Sequence, residues 1–303
     1  MPLCSMSSLI ADAESGGYAV SYCEAWSLES FEAVVQAAEA LNSPIIAGFN
    51  GGFLMHPGRT EPERLAYYAA LGSALRESTV PVAFLLNETD SLVQIEEGIR
   101  LGFNAVMVEN EHLGFEEYRR LVKQVVRVAH DHSATVEAQL GKLPAASGHS
   151  NGEPTDPEKA RAFVAETGID ALGVAVGNVH CLTEGKAPID LGALEKIRRA
   201  VGIPLVLHGG SGIPLEVLQS CVRLGVAKVN FGTVLKQAYL AAVRETLAAY
   251  REPMDPHPFL GMGGRQDILT AGREAVKAKV QEIIRFCGSA GQATPRSSPV
   301  ATR

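Results

Sequence analysis

The feature that most restricts the fold of this chain is a repeated unit: a short apolar run, a polar loop, an amphipathic stretch, and a turn into the next apolar run. Candidate strands fall at residues 19–22, 44–49, 82–86, 105–108, 135–139, 171–176, 205–207 and 228–230. Their cores are apolar on both faces, as parallel strands covered by helices must be. Candidate helices fall between them at 28–41, 92–101, 115–130, 156–167, 191–201, 214–224 and 233–250. The first carries Phe31, Val34, Val35, Ala38 and Leu41 on one stripe, behind Ser27 as N-cap. Helical stretches run into Gly102, Gly168, Gly202 and Gly225, and glycine there permits the left-handed residue that turns a helix back toward a strand. Such βαβα alternation specifies a parallel sheet between helices. Eight strands in this order fit a closed (β/α)8 TIM barrel better than an open doubly wound sheet, which pattern alone leaves as the alternative.

The 303 residues suit one such barrel, since barrels run to about 250 residues plus insertions. The expectation is a single α/β domain over residues 1–287, closed by a helical pattern at 268–286. A Ser/Pro/Thr/Ala-rich stretch, 288–303, is expected to be a disordered tail. Two segments break the rhythm, 48–64 and 141–157, both rich in glycine and proline. Each follows a strand, at the end where barrels keep their working loops.

Net charge is -7 and no basic run occurs, which argues against nucleic acid as a partner. No apolar run is long enough to span a bilayer, and no signal-peptide pattern opens the chain. The five cysteines are odd in number and lack CxxC spacing. Reduced thiols and a cytoplasmic location are therefore expected.

Two histidines stand directly after candidate strands. His180 ends Val176-Gly177-Asn178-Val179-His180, and His208 opens His208-Gly209-Gly210-Ser211-Gly212. In a barrel both imidazoles would face the C-terminal mouth, where neutral imidazole suits Zn²⁺ and related ions. Glu88, at the end of the third strand, would complete a two-His, one-carboxylate set with open positions. The glycines and serine at 209–212 expose backbone N–H groups before a helix. Asn230-Phe231-Gly232-Thr233 opens another helix after the last strand. Loops after strands seven and eight are the usual phosphate site of such barrels, and helix N-termini favour anions.

At these residues the chain resembles the class II, metal-dependent ketose-bisphosphate aldolases, which include fructose- and tagatose-bisphosphate aldolases. The resemblance runs from Gly17 to about Gly291. It rests on Gly17-Tyr18-Ala19-Val20, Val136-Glu137-Ala138-Gln139-Leu140-Gly141, the two histidine segments, Lys228-Val229-Asn230-Phe231-Gly232-Thr233, and Ala271-Gly272-Arg273-Glu274 with Phe286-Cys287-Gly288-Ser289. It implies a (β/α)8 fold, a homo-oligomer (dimer or tetramer), and a Zn²⁺ that polarises the substrate carbonyl and stabilises an enediolate. It gives His180 and His208 the roles of zinc ligands, and Gly177, Gly209, Ser211, Asn230 and Thr233 those of phosphate and substrate contacts.

The departures from that family cluster at the mouth. Where the family has an Asp-His pair, with the Asp transferring protons and the His on zinc, this chain has Asn87-Glu88. Glu88 can ligate a metal but brings an anion, which should weaken its Lewis acidity. Asn87 cannot take a proton at neutral pH. The family's strand-five Glu is Gln139, its acid-rich loop is replaced by residues 142–154 with Glu153 as the one carboxylate, and its strand-one Asn is Glu24. Replacement acids or bases could be Glu24, Asp90, Glu109 or Glu111, with Glu24 best placed. The expected function is a divalent-metal-dependent lyase that cleaves or forms a C–C bond in a phosphorylated ketose or related compound. An isomerase or epimerase of the same metal-enediolate chemistry, or an inactive sugar-phosphate-binding protein, are the alternatives. A Schiff-base route through Lys228 would leave the two histidines unexplained.

Overall fold

The computed structural model describes residues 3–109, 112–144 and 152–293. Eight strands pair in parallel in chain order: β1 (Val20–Ala25), β2 (Ile45–Asn50), β3 (Val82–Thr89), β4 (Ala105–Val108), β5 (Thr135–Leu140), β6 (Ala171–Val174), β7 (Leu205–Leu207) and β8 (Val226–Phe231). They close into a barrel, with Tyr22 of β1 in register with Asn230 of β8. The helices are α1 (Met6–Gly16), α2 (Leu28–Ala40), α3 (Gly51–Leu54), α4 (Leu65–Ser73), α5 (Leu92–Leu101), α6 (Phe115–Asp131), α7 (Pro157–Thr167), α8 (Leu191–Ala200), α9 (Leu215–Arg223), α10 (Thr233–Leu247) and α11 (Ile268–Cys287). The closed (β/α)8 architecture is the one the alternation called for, and the open sheet is set aside.

Local chemistry fixes the ends of these elements. Ser27 and Ser30 form a reciprocal capping box at the start of α2, which satisfies N–H groups that a helix start leaves open. Gly102, Gly168 and Gly225 take positive φ, whereas α8 ends into an extended Val201 and Gly202 needs no left-handed turn. Outside the barrel, side chains of alternate strand positions pack under the helices. Phe84 stacks on Phe103 with ring centroids 4.0 Å apart, and Phe31 stacks on Phe49 at 5.4 Å. Each such burial contributes about 1.5–3 kcal/mol. Inside the barrel, Val20, Ile46, Ala83, Leu85 and Met107 form a second apolar cluster with Met6, Leu9 and Ile10 of α1. The helix α1 thus plugs the N-terminal end and leaves the C-terminal end as the open one.

Four features differ from the sequence expectation. Helix α1 has Ser5 as N-cap and Gly17 as left-handed C-cap, signals that the strand-helix count did not use. The stretch 48–64 is not wholly loop, because β2 runs on to Asn50 and the Asn50 side chain caps the single turn of α3. Helix α4 follows it with the sequence LAYYAALGS, apolar nearly all round and so without the stripe that marks an amphipathic helix. The chain also stays on the barrel beyond Cys287. Buried Ser289 accepts from the Ser43 hydroxyl at 2.9 Å, and Ala293 N–H donates to the Asn42 carbonyl. The remainder of the expected tail, 294–303, lies outside the described residues.

Candidate active site

A cavity of about 320 Å³ opens at the C-terminal end of the barrel, lined from β1, β2, β3, the loops after β6 and β7, β8 and the start of α10. Strand periodicity puts its floor in place, since residues two apart share a face. Tyr22 and Glu24 of β1, Asn50 of β2, Asn87 of β3 and Asn230 of β8 reach the cavity this way. Glu137 and Lys228 lie beneath it on β5 and β8, fully buried. Glu88 follows Asn87 and by alternation would point away. Its φ of 52° and a register break between Leu86 and Thr89 bring it back to the mouth. A non-glycine residue in that region costs of order 1 kcal/mol or more, a strain typical of functional positions.

Glu88 and His208 are the centre of a connected polar network. Glu88 Oε1 lies 3.3 Å from Nδ1 of His208 and 3.9 Å from Nε2 of His180, while Glu88 Oε2 accepts from the Asn50 amide at 2.6 Å. On its far side, His208 Nε2 meets Glu137 Oε1 at 2.8 Å. The second oxygen of Glu137 pairs with Lys228 Nζ at 2.7 Å, and Lys228 also donates to Asn230 Oδ1 at 2.6 Å. The Asn178 amide donates to the carbonyls of Val174 and His208, tying the ends of β6 and β7 together. His180, two residues on, is thereby held near His208.

The charges follow from these contacts. Burial opposes ionisation of Glu88, yet His208, His180 and Asn87 hold its carboxyl down at about 2. Burial likewise opposes a charged His208, but Glu137 and Glu88 hold its pKa up at about 9. Burial works against the Glu137 carboxylate too, and the Lys228 ammonium and His208 outweigh it. Burial pulls Lys228 below its ordinary value against the pull of Glu137. Glu24 is raised by burial even though it is ion-paired with Lys236 from the first turn of α10.

Glu88, His180 and His208 supply one carboxylate and two imidazoles to a common space. Donors about 2.0–2.2 Å from a tetrahedral ion stand about 3.3–3.5 Å apart. The Glu88–His208 edge meets that and the Glu88–His180 edge is wider. Among the described residues, no group of three or more His, Cys, Asp or Glu is closed tightly enough to hold an ion as it stands. The donor chemistry nevertheless fits a divalent cation. His208 turns one nitrogen to the cavity and the other to a buried carboxylate, the second-layer partner that orients metal-binding imidazoles. His180, with its side chain 40% exposed, has room for the small movement that would close the wider edge.

Of the residues expected to contact phosphate or substrate, Gly209, Ser211, Asn230 and Thr233 line the same cavity. Gly209 has φ 70°, and a Cβ there would meet the Val179 carbonyl oxygen at 2.2 Å, so only glycine fits. Ser211 lies in the single turn Gly210–Gly212, and Thr233 is the first residue of α10; both line the cavity. Gly177 does not line it. Its φ of 97° packs the backbone against the Pro188 carbonyl instead.

Of the possible replacement acids, only Glu24 lines the cavity among the described residues; Asp90 and Glu109 do not, and Glu111 lies outside the described residues. Glu153 pairs its backbone with Lys142 beside a separate cavity. The sequence alone does not mark Glu137, Asn50, Tyr22 and Lys236 as members of the site, and it offers Lys228 only as a Schiff-base lysine, not as the partner of Glu137. For Glu137 and Lys228 a signal existed: a charge inside an apolar strand, at the same parity as Gln139 and Asn230.

Comparison with known proteins identifies the family. A family model described as fructose-bisphosphate aldolase class-II matches residues 4–292. The chain is 36% identical over 299 residues to a probable fructose-bisphosphate aldolase of Bacillus subtilis (strain 168), covering 97% of this chain and 100% of that one. It is 36% identical to a fructose-bisphosphate aldolase of Geobacillus stearothermophilus, covering 97% and 99%. Among solved structures, it is similar to the YdjI aldolase from Escherichia coli K12, with a TM-score of 0.79 and 30% identity over 96% of this chain and 100% of that chain.

Proposed function

The chain belongs to the class-II fructose-bisphosphate aldolase family and is an aldolase-type lyase, and we propose that it acts on a phosphorylated ketose or related sugar-like compound with a divalent metal, Zn²⁺ foremost, held by Glu88, His180 and His208. The observation that carries this reading is the approach of Glu88 Oε1 to His208 Nδ1 and His180 Nε2, with Glu137 behind His208. The family is metal-dependent in general, and a bound ion would supply Lewis-acid polarisation of a substrate carbonyl. Glu88 adds a negative charge to the ligand set and tempers that polarisation.

The chain's own residues do the rest. Gly209, Ser211 and Thr233 offer backbone and hydroxyl donors to a phosphate at the α10 N-terminus, and Asn230, held by Lys228, faces the same space. Gly177 shapes the loop that carries His180 rather than touching the ligand. Asn87 can hydrogen-bond a substrate hydroxyl but not take its proton. Glu24, raised by burial and lining the cavity, is the carboxyl we assign to proton transfer, with Lys236 restraining it.

The test is cleavage of a panel of phosphorylated ketoses, followed by aldehyde release and by solvent proton exchange, with metal-stripped and zinc-reloaded protein. Loss on stripping and recovery on reloading is expected. Full activity in chelator would overturn the metal assignment, and proton exchange without C–C cleavage would favour an isomerase or epimerase. Cys23, Cys181, Cys221 and Cys287 form no disulfide, which suits the reducing cytoplasm we propose for it, and among the described residues no helix is long and apolar enough to cross a membrane. Membership of the family is what supports a homo-oligomer.

A further inference from the structure

We propose that Tyr22 is a substrate-contacting residue of this site, its phenol hydroxyl donating a hydrogen bond to an oxygen of the bound sugar-like substrate at the cavity floor. The inference rests on the aldolase reading above. Tyr22 projects inward from β1 with Val20 and Glu24, lines the cavity and is 1% exposed. Its hydroxyl is buried and has no hydrogen-bond partner. A phenylalanine would fill the same space without leaving a buried polar atom unsatisfied, and native proteins seldom tolerate such an atom without cause. The cause offered by this site is that the partner arrives with the ligand.

The surroundings define that partner. Glu24, Glu88 and Glu137 add to burial in keeping the phenol protonated, so the hydroxyl acts as a donor. The carboxylates are committed elsewhere, Glu24 to Lys236, Glu88 to Asn50 and the histidines, Glu137 to His208 and Lys228. Lys228 Nζ sits 5.2 Å from the centre of the Tyr22 ring and itself only donates. A second orphan lines the same cavity: Asn87 Oδ1, buried and unpartnered, which can only accept. One donor and one acceptor, both unmet, suit a carbon chain that carries an accepting oxygen and a donating hydroxyl. No proton changes hands in this contact; it positions the substrate and favours charge developing on its oxygen.

Tyr22→Phe tests this on the zinc-loaded full chain. Binding of dihydroxyacetone phosphate and of five- and six-carbon ketose phosphates is measured by calorimetry, beside zinc content, inorganic phosphate binding and melting temperature. The expected result is unchanged zinc and inorganic phosphate binding and a melting temperature equal to or above that of the wild type. Affinity for the sugar phosphates bound by the wild type should be about tenfold weaker, the loss of one hydrogen bond. Wild-type affinity in the variant would overturn the proposal, as would a fall of several degrees in melting with affinity intact, since Tyr22 would then be structural. A wild type that binds these phosphates but cleaves none would defeat the aldolase reading while the affinity comparison still decides the role of Tyr22. A wild type that binds none of them would defeat both.

Discussion

Glutamine in place of Glu137 keeps the shape of the side chain but leaves Lys228, which has no solvent access, without its counter-charge. A buried charge that loses its partner costs about 3–5 kcal/mol. The lysine can escape that cost by giving up its proton. From an ordinary value of 10.5, the escape costs about 5 kcal/mol at pH 7 and about 2 kcal/mol at pH 9, at roughly 1.36 kcal/mol per pH unit. The destabilisation is therefore capped near those values and shrinks as pH rises. For 303 residues, an unfolding entropy of about 2.1 cal/mol/K per residue makes each kcal/mol worth about 1.6 °C. Glu137→Gln should melt about 5–8 °C below the wild type at pH 7 and about 3 °C below it at pH 9. His208 acts in the same direction. Its folded value of about 9 lies above the ordinary 6.5, so the stability it gains from Glu137 and Glu88 is present below pH 6.5 and lost as pH rises through 9. The variant has already given up part of it. Calorimetric melting of both metal-free proteins from pH 6 to 9 is the assay, and the double replacement of Glu137 and Lys228 by methionine should recover much of the loss. Equal melting temperatures at pH 7, or a gap that widens with pH, would refute the reasoning.

Zinc binding to the metal-free protein at pH 7.5 should release about one proton, because His208 is held protonated up to about 9 and must bind as neutral imidazole; titration calorimetry in buffers of different ionisation enthalpy reads this, and no release contradicts it. Glu88→Gln should lose bound metal. It should also lose less stability than the wild type between pH 4.5 and 2, since the contribution of a carboxyl depressed to about 2 is present above 4.5 and disappears as pH falls through 2; acid unfolding by circular dichroism checks it. Gly209→Ala should destabilise by well over the roughly 1 kcal/mol of a purely conformational penalty, because its Cβ meets the Val179 carbonyl, whereas Gly185→Ala, at φ 92° with nothing within 4 Å, should show that penalty alone; urea unfolding of the two variants compares them.

The barrel was legible because burial on both faces leaves its strands uniformly apolar, and because Gly102, Gly168 and Gly225 mark helix ends that need a left-handed residue. Helix α4 was not legible, since Leu65–Ser73 packs without a polar face to set its period. The histidines and Glu88 could be read because each stands directly after an apolar run, next to glycines or a polar residue. Lys228 and Glu137 could not be paired by inspection: they are 91 positions apart, and only barrel closure brings them together. Nor could Tyr22, whose significance lies in a hydrogen bond it does not make. Glu88 lines the mouth, although strand alternation alone would turn it away. Its left-handed backbone is visible only in the fold.

The central claim is that Glu88, His180 and His208 together hold a divalent ion at the mouth of this barrel. Anomalous diffraction at the zinc absorption edge, from crystals grown with zinc, tests it most directly. A single strong peak bonded to the Glu88 carboxylate, His180 Nε2 and His208 Nδ1, with Glu137 still on the far nitrogen of His208, is the predicted result. A peak elsewhere, or one from which Glu88 is turned away, would contradict it.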